Sequence, residues 1–178
     1  MIKNIYLTGF SCTGKTTIGK LISKKLGRQF IDIDLEIERQ HKKMISDIFR
    51  DSGEEIFRTI ESNLLKEIST FQDTIISTGG GLPILDINRD IMKSTGHVVL
   101  LTATAVTILE RLEDEMASTN SDTYRPVIEQ DKDRLARITE LLAYRDRYYY
   151  QADFTINTES KKPNLIVEEI IRKISDVE

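Results

Sequence analysis

Residues 9–16 read Gly-Phe-Ser-Cys-Thr-Gly-Lys-Thr, the pattern G-x-x-x-x-G-K-[ST]. Glycines at both ends let the backbone turn sharply, so that successive N–H groups converge on one anion with no Cβ in the way. A helix starting directly afterwards adds the positive end of its dipole. Lys15 supplies a point charge for the outer phosphates, and the Thr16 hydroxyl is placed to ligate Mg²⁺. The chemistry implied is binding of the phosphates of a nucleotide. Cys12, Thr13, Gly14, Lys15, Thr16 and Thr17 are the candidate contacts to the nucleotide.

Three other groups carry chemistry. Asp32-Ile33-Asp34 ends a candidate strand, where alternation puts both carboxylates on one side. One of these carboxylates could hold Mg²⁺ through water, and the other could accept a hydrogen bond or a proton from an attacking hydroxyl. The plain alternative is that Asp34 caps a helix over 35–40. Arg58 and Glu61 are three apart on one helix face. They are either a solvated pair worth little, or an arginine for an anionic substrate with Glu61 fixing its orientation. Ser77-Thr78-Gly79-Gly80-Gly81 follows a strand, so its glycines are either a flexible turn or a place where substrate meets backbone.

The elements that must position these groups alternate. Short apolar runs over 4–7, 29–33, 74–77, 97–101 and 154–157 read as strands, with helical patterns between them. Repeated βα order predicts a parallel sheet covered on both faces, with ligands at the carboxyl edge of the strands. After the phosphate loop, Ile18, Leu21, Ile22 and Leu26 share a helix face. The stretch 44–61 reads as a helix, a stop at Gly53 and a second helix. Tyr144, Tyr148 and Gln151 lie along one face of a helix starting near Lys132, a packing and lid-contact cluster rather than a stacking platform for bases. Pro163, Leu165, Ile166, Ile170, Ile171 and Ile174 spell a closing amphipathic helix. One stretch, 114–133, is polar and weakly periodic, with Arg125-Pro126 inside it. A long polar excursion in a phosphoryl-transfer enzyme is expected to be a lid that excludes water.

At 178 residues the chain suits one domain with a real core. Its net charge of −4, without runs of Lys or Arg, disfavours nucleic acid or an anionic membrane as partner. No apolar run approaches a membrane span, and residue 4 already enters a strand, with no signal-peptide pattern before it. One cysteine excludes an intrachain disulfide and a cysteine-based zinc site. His41 and His97 lack ligand spacing and are expected at the surface or a strand edge. The expectation is a cytoplasmic protein.

Taken in order and spacing, these blocks resemble the shikimate kinases over nearly the whole chain: the phosphate loop, Asp32-Ile33-Asp34, the block around Ile45 to Glu61, Ser77 to Gly81, Arg125-Pro126, and Arg145 with Tyr149 and Ala152-Asp153. The resemblance implies a three-layer P-loop fold of class α/β: a five-stranded parallel sheet with helices on both faces, substrate-binding helices over about 34–62 and a lid over about 114–131. It implies transfer of phosphate from ATP to the 3-hydroxyl of shikimate, on the way to chorismate and the aromatic amino acids, by a monomer. Arg58, Arg145 and Gly79, Gly80 and Gly81 would hold shikimate, with Glu61 holding Arg58. Asp34 would be the base, while Lys15 and Arg125 would stabilise the transferring group. Thr16 would bind Mg²⁺ directly, Asp32 through water, and Arg111 would lie along the adenine.

The chain departs from that family at Cys12, where the usual loop has glycine, and in a longer separation of Arg111 from Arg125. A thiol among convergent N–H donors is expected to label readily with iodoacetamide and to be protected by ATP. Competing readings are a kinase for another acid such as gluconate, a nucleoside monophosphate kinase, and a non-catalytic nucleotide-binding regulator. The last would be expected to lose Lys15, the paired acids or the lid arginine.

Overall fold

The computed structural model describes residues 3–118 and 133–177. In chain order the elements are β1 (Asn4–Thr8), α1 (Lys15–Leu26), β2 (Gln29–Asp32), α2 (Ile33–His41), α3 (Ile45–Ile68), β3 (Thr74–Ser77), a 3-10 turn (Leu82–Ile84), α4 (Asp86–Thr95), β4 (Gly96–Thr102), α5 (Ala105–Ser118), α6 (Arg134–Tyr149), β5 (Phe154–Asn157) and α7 (Pro163–Ser175).

The five strands form one sheet in the order β2-β3-β1-β4-β5, and every pairing is parallel. Parallel neighbours cannot be joined by tight turns, so the helices are crossovers that cover the two faces. Strand alternation sorts the core. Ile5, Leu7, Ile75, Val99 and Leu101 point to one face, where Ile18 and Ile22 of α1 and Ile166, Val167, Ile170 and Ile174 of α7 cover them. Tyr6, Ile76 and Val98 point to the other, under Ile33, Ile37, Phe57, Leu65 and Met92 from α2, α3 and α4. A third cluster joins Phe10 and Leu100 to Ile108, Leu112, Ile138, Leu141 and Tyr149 of α5 and α6. It ties the phosphate loop to the helix that bears Arg145.

Several local expectations shift. β2 stops at Asp32, and Ile33 already opens α2. α3 runs to Ile68 through Gly53, whose φ of 82° breaks the helix where a stop was expected. In α7 Leu165 is 55% exposed and Val167 takes the buried place. His97 is buried rather than superficial, because β4 is an interior strand, and its ring lies 6.2 Å from that of Phe154. His41 is exposed at the end of α2. The first five residues of the expected lid, 114–118, continue α5. The rest of it, Arg125 included, lies outside the described residues.

Candidate active site

The loops after β1, β2 and β3 leave the sheet at the same edge and wall a cleft of about 880 Å³. Its lining takes in residues 10–18, Asp32, Asp34, Arg58, Glu61, residues 77–81, Arg111 and Arg145. The chain thus brings together every described residue expected to do chemistry.

At the phosphate loop, Gly14 takes φ 94° and caps α1, and Ile18 N donates to Gly14 O at 2.8 Å. Thr13 is buried, with Oγ1 donating to Phe10 O at 2.8 Å. Lys15 Nζ donates to Gly9 O at 3.0 Å and Phe10 O at 2.8 Å, so its ammonium lies folded across the loop. Thr17 is exposed in the first turn of α1. Cys12 adopts φ 59°, the left-handed region that favours glycine. Its half-buried thiol donates to Glu115 Oε2 at 3.5 Å, an acidic neighbour that sequence reading did not weigh.

Thr16 Oγ1 donates to Asp32 Oδ2 at 2.6 Å. The other Asp32 oxygen accepts from Asp34 N at 3.2 Å and Leu35 N at 3.4 Å. The cap of α2 is therefore Asp32, not Asp34. Asp32 ends the strand in an extended conformation, so its side chain can reach the first free N–H groups of the helix. Asp34 belongs to the first turn of α2, and its carboxylate approaches the glycine turn.

That turn is crowded by charged side chains. A Cβ on Gly79 would collide with Glu61 Oε1 and come within 2.8 Å of Asp34 Oδ1, and one on Gly81 would overlap the Arg58 guanidinium. These glycines make room for the site's own side chains as well as for a ligand. Gly80 is less confined, its nearest neighbour being Arg145 Nη1. Its carbonyl accepts from Tyr149 Oη at 2.6 Å and from Arg145 Nη1 at 3.3 Å. Burial pushes the Tyr149 hydroxyl pKa up, against the nearby charge of Arg145, so the phenol stays a donor.

The two arginines differ. Arg58 is paired with Glu61 and donates twice to Glu54, at 2.9 and 3.2 Å, with its plane over Phe57 at 5.3 Å and Phe49 at 6.0 Å. Arg145 is 8% exposed and sits 5.3 Å from the Phe10 ring centroid. Its Nε has no hydrogen-bond partner, and no carboxylate pairs with it among the described residues. Glu61 is 1% exposed, and its Oε1 also lacks a hydrogen bond. Burial first, then Asp34, raise its pKa against the pull of Arg58, to about 7.

Arg111 joins the phosphate loop to the segment after β5. Nη1 donates to Cys12 O and Thr158 Oγ1, both at 3.1 Å, and Nη2 to Thr158 O at 3.0 Å. Thr158, Lys161 and Pro163 extend the cleft beyond it. Sequence reading missed Phe10 and Glu115 as site neighbours. Phe10 occupies a free position of the loop pattern, and Glu115 is 103 residues from Cys12, so neither carries a local signal. Thr158 was findable, since it follows directly on β5 at the ligand edge.

Among the described residues no three His, Cys, Asp or Glu side chains are grouped to hold a metal. A Mg²⁺ here would draw on the hard oxygens of Thr16 and Asp32, with phosphates and water completing its shell. Among the described residues no helix is long and apolar enough to cross a membrane.

Residues 11–175 match the family model described as shikimate kinase. The chain is 40% identical over 173 residues to the shikimate kinase of Persephonella marina, an overlap of 97% of this chain and 99% of that one. Its structure is similar to that of a shikimate kinase from Acinetobacter baumannii in complex with shikimate, with TM-score 0.90 and 34% identity over 100% of this chain and 96% of that one. A gluconokinase from Sinorhizobium meliloti, at TM-score 0.62 and 14% identity over 98% and 93% of the two chains, shares the fold alone. The family match, rather than the shared fold, decides among the kinase readings, and the chain belongs to the shikimate kinase family.

Proposed function

We propose that this cleft transfers the γ-phosphoryl group of ATP to the 3-hydroxyl of shikimate, giving shikimate 3-phosphate and ADP for the synthesis of chorismate and the aromatic amino acids. The observation that carries the acceptor reading is Arg145: a buried guanidinium with an unpartnered Nε and no carboxylate pair among the described residues. Such a group calls for an anionic ligand. Arg58, already oriented by Glu61, supplies a second cation toward the same carboxylate. The turn at Gly79, Gly80 and Gly81 is the floor beneath the ring.

The residues divide the step between them. Asp34 faces the acceptor side of the cleft and takes the proton of the attacking hydroxyl as the new O–P bond forms and the bond to the β-phosphate oxygen breaks. Lys15 stabilises the charge on the transferring group, and the family resemblance gives Arg125 the same task. The loop N–H groups with Cys12, Thr13, Gly14, Thr16 and Thr17 hold the triphosphate, and Arg111 borders the adenine. Mg²⁺, held by Thr16 directly and by Asp32 through water, would neutralise phosphate charge. The helices over about 34–62 form the acceptor wall, and the family resemblance gives the part of a lid to the segment over about 114–131, which beyond residue 118 lies outside the described residues. The enzyme is read as a cytoplasmic monomer acting on small molecules, with neither nucleic acid nor membrane as partner.

Little covalent work falls to the protein in phosphoryl transfer, so removing the base should slow the reaction without abolishing it. Asp34→Asn is expected to lower kcat by about 10² to 10⁴ in a coupled ADP-release assay. Unchanged turnover removes Asp34 as the base. In an acceptor screen, gluconate turnover as fast as shikimate turnover removes the acceptor assignment.

A further inference from the structure

Outside the cleft, in α4, lies Arg89, 9% exposed and used by none of the chemistry above. Its Nη1 donates to Pro83 O at 2.5 Å and Ile84 O at 2.8 Å. The neighbouring Asn88 Nδ2 donates to Leu82 O at 3.0 Å. All three carbonyls of the 3-10 turn Leu82–Ile84 are thus held by two adjacent side chains of α4. This turn grows directly out of the glycines, with Leu82 N donating to Gly79 O at 3.2 Å and Ile84 N to Gly81 O at 3.1 Å.

The same guanidinium reaches the end of α6. Nε donates to Gln151 Oε1 at 3.1 Å, and the plane lies 5.1 Å from the Tyr148 ring centroid. Gln151 Nε2 in turn donates to Arg147 O at 3.1 Å, closing the last turn of the helix that carries Arg145 and Tyr149. Both of those side chains return to Gly80 O. The contacts form a closed circuit: Gly80, the 3-10 turn, Arg89, Gln151, the end of α6, and back to Gly80 through Tyr149 and Arg145. Asp86, itself 86% exposed, pairs with Nη2 and completes the shell.

We propose that Arg89 is a positioning residue for the acceptor half of the site, setting the separation between the glycine turn and Arg145. A buried cation is poor evidence of net stabilisation, but a planar fork with its donors in fixed directions specifies geometry. Lysine has one donor group at the end of a flexible stem and cannot span the turn, Gln151 and the Tyr148 face together. None of the circuit's hydrogen bonds involves the nucleotide loop, which meets it through the Phe10 ring beside Arg145, so ATP affinity should be largely spared.

The inference rests on the reading that Gly80 and Arg145 hold the substrate. The test measures KM for shikimate, KM for ATP and kcat in the full chain for Arg89→Lys, Gln151→Ala and Arg145→Met. In Arg89→Lys, shikimate KM should rise about tenfold while ATP KM stays within about twofold. Gln151 is exposed, so Gln151→Ala cuts the link to α6 with little risk to folding, and a rise of about threefold in shikimate KM alone is expected. Unchanged shikimate KM in both, or a parallel rise in ATP KM, overturns the proposal. If Arg89→Lys does not fold, Gln151→Ala decides by the same criterion. An unchanged shikimate KM in Arg145→Met removes the underlying reading and this one with it. A raised KM there, with none in the other two variants, removes only the role of Arg89.

Discussion

Around residues 9–16 the cleft is walled by backbone, whereas around 79–81 it is walled by charged side chains. The first wall is local. Its bonds join Gly9, Phe10, Thr13, Gly14, Lys15 and Ile18, and the anion-binding groups proposed for it are chiefly peptide N–H. The second is assembled from afar. Asp34 comes from α2, Arg58 and Glu61 from α3, Arg145 and Tyr149 from α6, and they meet at three glycines. A phosphate can be held by generic backbone donors, because its charge is large and its oxygens equivalent. A ring carboxylate and one hydroxyl among several must be told apart, which takes directional side chains from different elements.

The sharpest break should come at the nucleotide end. Lys15→Met is expected to lower kcat by about 10³ or more, with shikimate KM little changed, because its charge acts on the transferring group. A kcat within tenfold of the parent, in steady-state assay, removes that role.

At the acceptor end the largest effect should be on pH dependence. Glu61 is held at about 7, against an ordinary value of 4.5, mainly by burial. The folded chain therefore binds this proton more tightly than the unfolded chain. The associated stability is full below about pH 4.5 and lost as pH rises through about 7. Glu61→Gln lacks that titration, so the parent should lose stability relative to it between pH 5 and 8, by on the order of 3 kcal/mol. Urea unfolding of both proteins across that range measures the difference, and parallel profiles would leave Glu61 ionised throughout.

Arg145→Met should raise shikimate KM by about a hundredfold and leave ATP KM nearly unchanged, through lost charge-assisted hydrogen bonds. Equal effects on both substrates would show that the two walls are not separable. The smallest effect belongs to Cys12. Its φ of 59° is strained for a side chain, most of all a β-branched one. Cys12→Val should cost about 1–2 kcal/mol of stability, and Cys12→Gly should stay within about 1 kcal/mol of the parent, relief of strain offsetting chain entropy. Denaturant midpoints decide it, and equal loss in both variants shows the thiol itself to be the stabilising group.

The same contrast explains what could be read beforehand. Residues 9–16 were legible because all their partners lie within a few positions. The sheet was legible because short apolar runs and repeated βα order are local signals, while the sorting of Ile5 and Leu7 to one face and Tyr6 to the other came with the structure. Asp34 and Arg58 were visible as candidates, yet the role of Asp34 as a cap was open until Asp32 was found bonding Asp34 N and Leu35 N. Two acids two residues apart differ only in where the strand ends, and hydrogen-bond supply at the helix start settles that.

By itself, then, the sequence determined the phosphate loop, the βα order, the parallel sheet and the identity of the charged groups at its edge, since each is written in spacings of a few residues. Tertiary structure alone decided that Arg145 is buried against Phe10 without an acidic partner among the described residues, that Glu61 reaches Gly79, that His97 is interior while Leu165 is not, and that Arg89 links the glycine turn to α6. Those facts depend on contacts across tens of residues, where burial and the partner's position, rather than residue type, set what a charge can do.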